Sequence, residues 1–115
     1  MGNLSIYQKY VELIYYTYNL TKKYPKSENF ALVKEIRENL YQGLRILMHS
    51  IKSYDKKEKL RYLNELDINL TLLKVFVRIS YNCKYISLQN YQTWCKHITD
   101  ICNILGAWIT SCLKR

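Results

Sequence analysis

LQNYQTWCKHITDICNILGAWITSC, residues 88–112, is the stretch that decides the fold. Leu88, Tyr91, Cys95, Ile98, Cys102, Leu105, Ile109 and Cys112 follow one another at alternating steps of three and four residues. That is the repeat of a helix burying a continuous seam. Trp94, Ile101 and Trp108 widen the seam on one flank. The segment before it repeats the pattern at Leu63, Leu66, Leu70, Leu73, Val77 and Ser80. Two earlier segments complete the set: Ile6 to Lys23, and one with apolar residues at Val33, Ile36, Leu40, Leu44, Leu47 and Ile51. No segment sustains the period-2 alternation of a strand. Long amphipathic helices joined by short breaks pack as antiparallel neighbours, so the expected fold is all-α, an up-down-up-down four-helix bundle.

The boundaries have local causes. Ser5, with Gln8 three residues on, has capping-box spacing for the first helix. Tyr24-Pro25 ends it, because proline disfavours helical geometry in the residue before it. Ser27 or Asn29 is the expected cap of the second helix, Asp55 with Glu58 of the third, through about Lys84, and Ser87 of the fourth. Cations close each segment at Lys22-Lys23, Lys52, Lys84 and Lys114-Arg115, where they complement the helix dipole.

Composition bounds the rest. The 115 residues make one domain, 1–115, and its 49% hydrophobic content is enough for a core. Three Gly and one Pro exclude a linker-rich chain, and 12 Tyr need packing partners. The longest uncharged run, Ile101–Leu113, is too short to span a bilayer, and no apolar signal region follows the N-terminus. A soluble cytoplasmic protein is expected. The net charge of +9 is spread along the chain rather than held in a tail, so it belongs to a basic surface on a folded body, a surface that attracts polyanions.

The third helix carries more apolar residues than one buried stripe requires. Leu72, Ile79 and Ile86 recur every seven residues on a second side, with Tyr62, Phe76 and Cys83 filling the arc between. A helix of a small bundle needs only one apolar stripe of about 100°. The surplus points to contact with another subunit.

Catalytic patterns are missing. The four cysteines lie 12, 7 and 10 residues apart, without metal-ligand spacing, and Cys95, Cys102 and Cys112 read as small apolar residues of the seam. His97 follows Cys95 by two residues, a spacing that does not bring side chains together on a helix. Glu35 and Glu38 read as a solvated face, and Gly43 and Gly106 are isolated within helices rather than part of a phosphate-binding loop. The expectation is a non-enzyme with no cofactor, no metal and no small-molecule substrate.

The cations carry the functional signal. On the second helix Lys34, Arg37, Tyr41, Arg45 and Lys52 fall near one face. On the third, Lys74, Arg78, Tyr81, Lys84 and Tyr85 occupy or border a narrow polar arc. Such spacing suits a phosphate backbone, with tyrosines placed to stack on unpaired bases. The candidate nucleic-acid or partner contacts are therefore Lys34, Arg37, Arg45, Lys74, Arg78, Tyr81 and Lys84. An acidic protein docking on the same basic face is the alternative from a different class; membrane-surface binding is weaker, since the cations do not face an exposed apolar side.

The stretch Tyr24-Pro25-Lys26-Ser27-Glu28-Asn29-Phe30-Ala31-Leu32-Val33, followed by Ile36-Arg37, resembles the start of the second helix in two related four-helix-bundle families. One is the accessory variability determinant (Avd) of diversity-generating retroelements; the other comprises proteins encoded in intervening sequences of bacterial 23S rRNA genes. Leu66-Asp67, Leu70, Leu73-Lys74, Arg78-Ile79, Tyr85-Ile86-Ser87, Tyr91 and Leu105-Gly106-Ala107-Trp108-Ile109 look like Avd. Gly43-Leu44-Arg45-Ile46-Leu47-Met48-His49-Ser50 stands where the rRNA-associated group has an Asn-Ile-Ala-Glu-Gly element. Resemblance to Avd implies a pentameric barrel of bundles with no catalysis of its own. It also implies a reverse transcriptase partner, with RNA and possibly DNA bound in support of mutagenic retrohoming. Arg37, Lys74 and Arg78 fall in matching segments, while Glu35 and Glu38 dilute the basic face of the second helix.

Overall fold

The computed structural model describes residues 2–115, with side-chain surroundings from residue 5 onward. Its helices are α1 (Gly2–Thr21), α2 (Leu32–Lys52), α3 (Lys56–Asn82) and α4 (Leu88–Leu113), with a 3-10 turn at Lys26–Glu28 before α2. Each helix packs on the next in sequence and α4 closes back on α1, the neighbour order of an up-down-up-down bundle. The body measures 47 × 25 × 19 Å. None of the described helices is long and apolar enough to cross a membrane.

Burial on α3 follows the seam residue for residue: Leu63, Leu66, Leu70, Leu73, Val77 and Ser80 are all buried. Ser80 is accommodated because its hydroxyl donates to the Phe76 carbonyl one turn back, 2.9 Å away. On α4 the buried line is Trp94, Ile98, Ile101, Leu105 and Cys112. Trp94 and Ile101, expected on the flank, hold the centre, whereas Tyr91, Cys95, Cys102 and Ile109 are half-buried and Leu88 is exposed. In the middle of the bundle Trp94 and Ile101 fill the interior, and the thiols of Cys95 and Cys102 are left at its edge. Trp94 is sealed inside because its indole N–H donates to Thr17 Oγ1 of α1 at 3.0 Å, which removes the cost of an unpaired buried donor.

Two caps are as expected. Asp55 accepts from the Glu58 N–H and Ser87 from the Asn90 N–H. Two are not. Helix α1 begins at Gly2, so Ser5 lies inside it rather than capping it. At α2 neither Ser27 nor Asn29 caps: the residues before the helix form the 3-10 turn instead, and Glu28 Oε1 accepts from the Leu32 N–H at 3.3 Å. Helix α1 also stops at Thr21, ahead of Lys22-Lys23, and α3 stops at Asn82, which places Lys84 outside it. Lys84 has φ 65°, the left-handed geometry that glycine usually supplies after a helix, and the Tyr85 N–H returns to the Ser80 carbonyl at 3.0 Å.

Gly43 marks a close approach of α1 to α2. Tyr10 is buried and its hydroxyl donates to the Leu40 carbonyl at 2.7 Å. A Cβ on Gly43 would collide with that same hydroxyl.

Candidate nucleic-acid interface

The cations on α2 follow from its register. With Val33, Ile36, Leu40 and Leu47 turned into the core, residues 34, 37, 41, 45 and 52 line the outer face on the α1 side. Arg37 is held there: its guanidinium lies 4.5 Å above the Tyr18 ring and Nη2 donates to Thr21 Oγ1 at 3.3 Å. Its Nε is buried with no hydrogen-bond partner. The Tyr18 and Tyr41 hydroxyls are hydrogen-bonded to one another, and that bond raises the Tyr41 pKa. Lys34 pairs with Glu38 at 3.0 Å across one turn, an exposed contact worth little. Arg45 is exposed and makes no ion pair among the described residues.

Helix α1 adds what the sequence reading passed over. Tyr7, Tyr18 and Lys22 are spaced to share its flank toward α2, and Tyr15 stands beside them, 68% exposed. The α1–α2 face therefore combines tyrosines with Lys22, Arg37 and Arg45. The 7-18-22 spacing was the available signal, obscured because the whole of α1 is rich in tyrosine.

On α3 the candidates Lys74, Arg78 and Tyr81 come together on the side toward α4. Lys74 lies close enough to Cys102 of α4 to act on its thiol, whose pKa burial raises more than the lysine lowers it. Tyr81 is half-buried and stacks on Tyr91 of α4, ring centroids 4.8 Å apart, so its ring is occupied within the protomer. Lys84 sits beyond the helix end, and Tyr85 turns away to donate to Glu28 Oε2 at 2.5 Å.

The two sets do not merge. Between them runs a cleft of about 540 Å³ along the α2–α3 junction, lined by Glu35, Glu38, Glu65, Ile68, Leu72 and Phe76 among others. Next to it the outer face of α3 bears Ile68 (69% exposed), Leu72 (46%), Val75 (49%) and Ile79 (40%). Their steps of four, three and four residues make a second seam on the helix surface. The expected set was different: Leu72 and Ile79 belong to it, but Ile86 is buried beyond the helix end, and Ile68 and Val75 complete the line.

Elsewhere the polar chemistry is used for packing. His49 stacks on Tyr62 at 5.0 Å and His97 lies against Tyr16 at 4.9 Å. The cysteines are free thiols, Cys112 buried and Cys83 exposed.

This arrangement matches known proteins in two ways. The chain superposes on the crystal structure of a protein of unknown function from the S23 ribosomal protein family of Bacteroides thetaiotaomicron, with a TM-score of 0.86. The match covers 96% of this chain and 99% of that one at 16% identity, a likeness of fold. No curated protein matches the sequence. The family model described as bAvd-like matches residues 4–112, nearly the whole bundle from α1 to the last turn of α4, and the chain belongs to that bAvd-like family.

Proposed function

We propose that this protein is the non-catalytic accessory subunit of a diversity-generating retroelement, binding template RNA or its cDNA together with the reverse transcriptase. The carrying observation is the pair of cationic patches, one on the α1–α2 face around Arg37 and Arg45, the other on α3 at Lys74 and Arg78 with Lys84 beyond. Family membership supplies the biological context; the net charge of +9 supplies the attraction. The exposed seam Ile68, Leu72, Val75 and Ile79 supports a homo-oligomer, which we read as a pentamer, because contiguous apolar surface of this kind marks association sites.

The test is fluorescence anisotropy with a structured RNA, a single-stranded DNA and a duplex over a salt series. Binding that falls steeply with salt is expected, since each phosphate neutralised releases counterions. Arg45→Ala, and separately Lys74→Ala with Arg78→Ala, should weaken binding and flatten the salt slope without loss of helicity. No binding at low salt would overturn the nucleic-acid reading and assign the cations to a protein partner.

A further inference from the structure

Phe30 is 90% exposed, and it is not on a loose loop. The connection that carries it is closed by Glu28 N–H to the Pro25 carbonyl (2.9 Å), Asn29 N–H to Lys26 (3.1 Å) and Ala31 N–H to Glu28 (3.1 Å). It is tied to the α3–α4 connection by the Tyr85–Glu28 hydrogen bond and by the Tyr24 and Tyr85 rings, whose centroids are 5.1 Å apart. The backbone beneath Phe30 is fixed, and a phenyl ring so bare has its π-face free.

The same end of the bundle is cationic. Lys22, Lys23 and Lys26 on one connection and Lys84 on the other are all exposed. The carboxylate between them, Glu28, is half-buried, with Oε1 accepting from Leu32 and Oε2 from Tyr85. Lys84 occupies a left-handed position at which a side chain is disfavoured. Backbone strain at a residue other than glycine is concentrated at functional sites, and here it falls on an exposed cation.

We infer that this end captures unpaired nucleotides, Phe30 stacking on a base while Lys22, Lys23, Lys26 and Lys84 neutralise the flanking phosphates. Single-strand sites combine these two elements: a cationic track and an aromatic platform, which accepts any base because every base has a π-face. A duplex, whose bases are already stacked, gains only the charge. The inference rests on the nucleic-acid reading above and narrows it to single strands.

The experiment compares Phe30→Ala with the unchanged protein by anisotropy, using unpaired RNA and DNA oligonucleotides and a duplex of equal length. Phe30→Ala should weaken binding of the unpaired strands about tenfold or more, the range expected for one base–aromatic stack, and leave the duplex unchanged. Phe30→Trp should restore affinity, its added emission being quenched by the single strand. Equal affinities for Phe30→Ala and the unchanged protein, or equal losses on strand and duplex, overturn the inference while the broader reading stands. A fall in native mass in Phe30→Ala also overturns it and assigns the ring to a subunit contact. If the unchanged protein binds none of the probes, both readings fail together.

Discussion

Tyr85 and Glu28, 57 residues apart in sequence, are joined by a 2.5 Å hydrogen bond that ties the α3–α4 connection to the turn before α2. Glu28 serves both sides, since its other oxygen accepts from the Leu32 N–H at the start of α2. The bond to the carboxylate, with some desolvation, pushes the Tyr85 pKa up to about 12. Burial raises that of Tyr24, whose ring packs against it, to about 12 as well.

An alkaline transition follows. Both phenols are held neutral in the folded protein, with pKa values raised above the ordinary 10.0. Their contribution is fully present below pH 10.0 and is lost as the pH climbs toward about 12. Urea midpoints measured across that window should fall, and Tyr85→Phe should fall less steeply because one linked proton is gone. An unchanged slope in Tyr85→Phe would show that the phenol gains nothing from Glu28 in the folded state.

The glycines within helices should respond oppositely to the same change. Gly43→Ala forces a methyl into the Tyr10 hydroxyl and should cost about 1–3 kcal/mol, as overpacking does. Adding Tyr10→Phe should recover part of that loss by removing the colliding atom. Gly106 has open space around its Cβ position, so Gly106→Ala should stabilise by ~0.5–1 kcal/mol through helix propensity. Chemical denaturation of the three variants decides the matter.

Lys84→Gly should separate stability from binding. Relief of the left-handed backbone is expected to stabilise the fold by roughly 1 kcal/mol, while loss of the ammonium lowers affinity for nucleic acid and reduces the salt slope by about one unit. Thermal melts and anisotropy on one preparation give both numbers. A variant more stable and equally tight would remove Lys84 from the contact surface.

Charging the outer face of α3 tests the assembly. Ile68→Glu with Val75→Glu changes two exposed positions, so circular dichroism should be preserved while the native mass drops to that of a monomer. A native mass the size of the unchanged assembly would show that subunits meet through another face.

The seam read on α3 is the one that faces inward, each of its six residues being buried. The sequence misplaced the centre of α4 because two apolar lines run side by side there: Cys95, Cys102 and Ile109 beside Trp94, Ile101 and Trp108. Period alone does not say which of two adjacent lines faces inward; volume does, and Trp94 takes the middle. The cap of α2 was missed because Glu28 acts from within a 3-10 turn, at a spacing outside the usual N-cap pattern. At the candidate site the cations were legible, but their division into two patches was not. That division depends on where α2 and α3 meet, and the acidic residues found there, Glu35, Glu38 and Glu65, come from two helices. Phe30 carried no signal of its own, since a lone aromatic in a loop has no periodicity to show whether it is buried.

Burial also divides the two tryptophans. Trp94 is inaccessible and hydrogen-bonded to Thr17, while Trp108 is half-open with the Lys59 ammonium 5.6 Å above its ring. The chain thus has two natural optical reporters in different compartments. The shielded indole follows unfolding of the bundle, and the accessible one, selectively quenched by iodide drawn to the neighbouring ammonium, follows what happens at the surface.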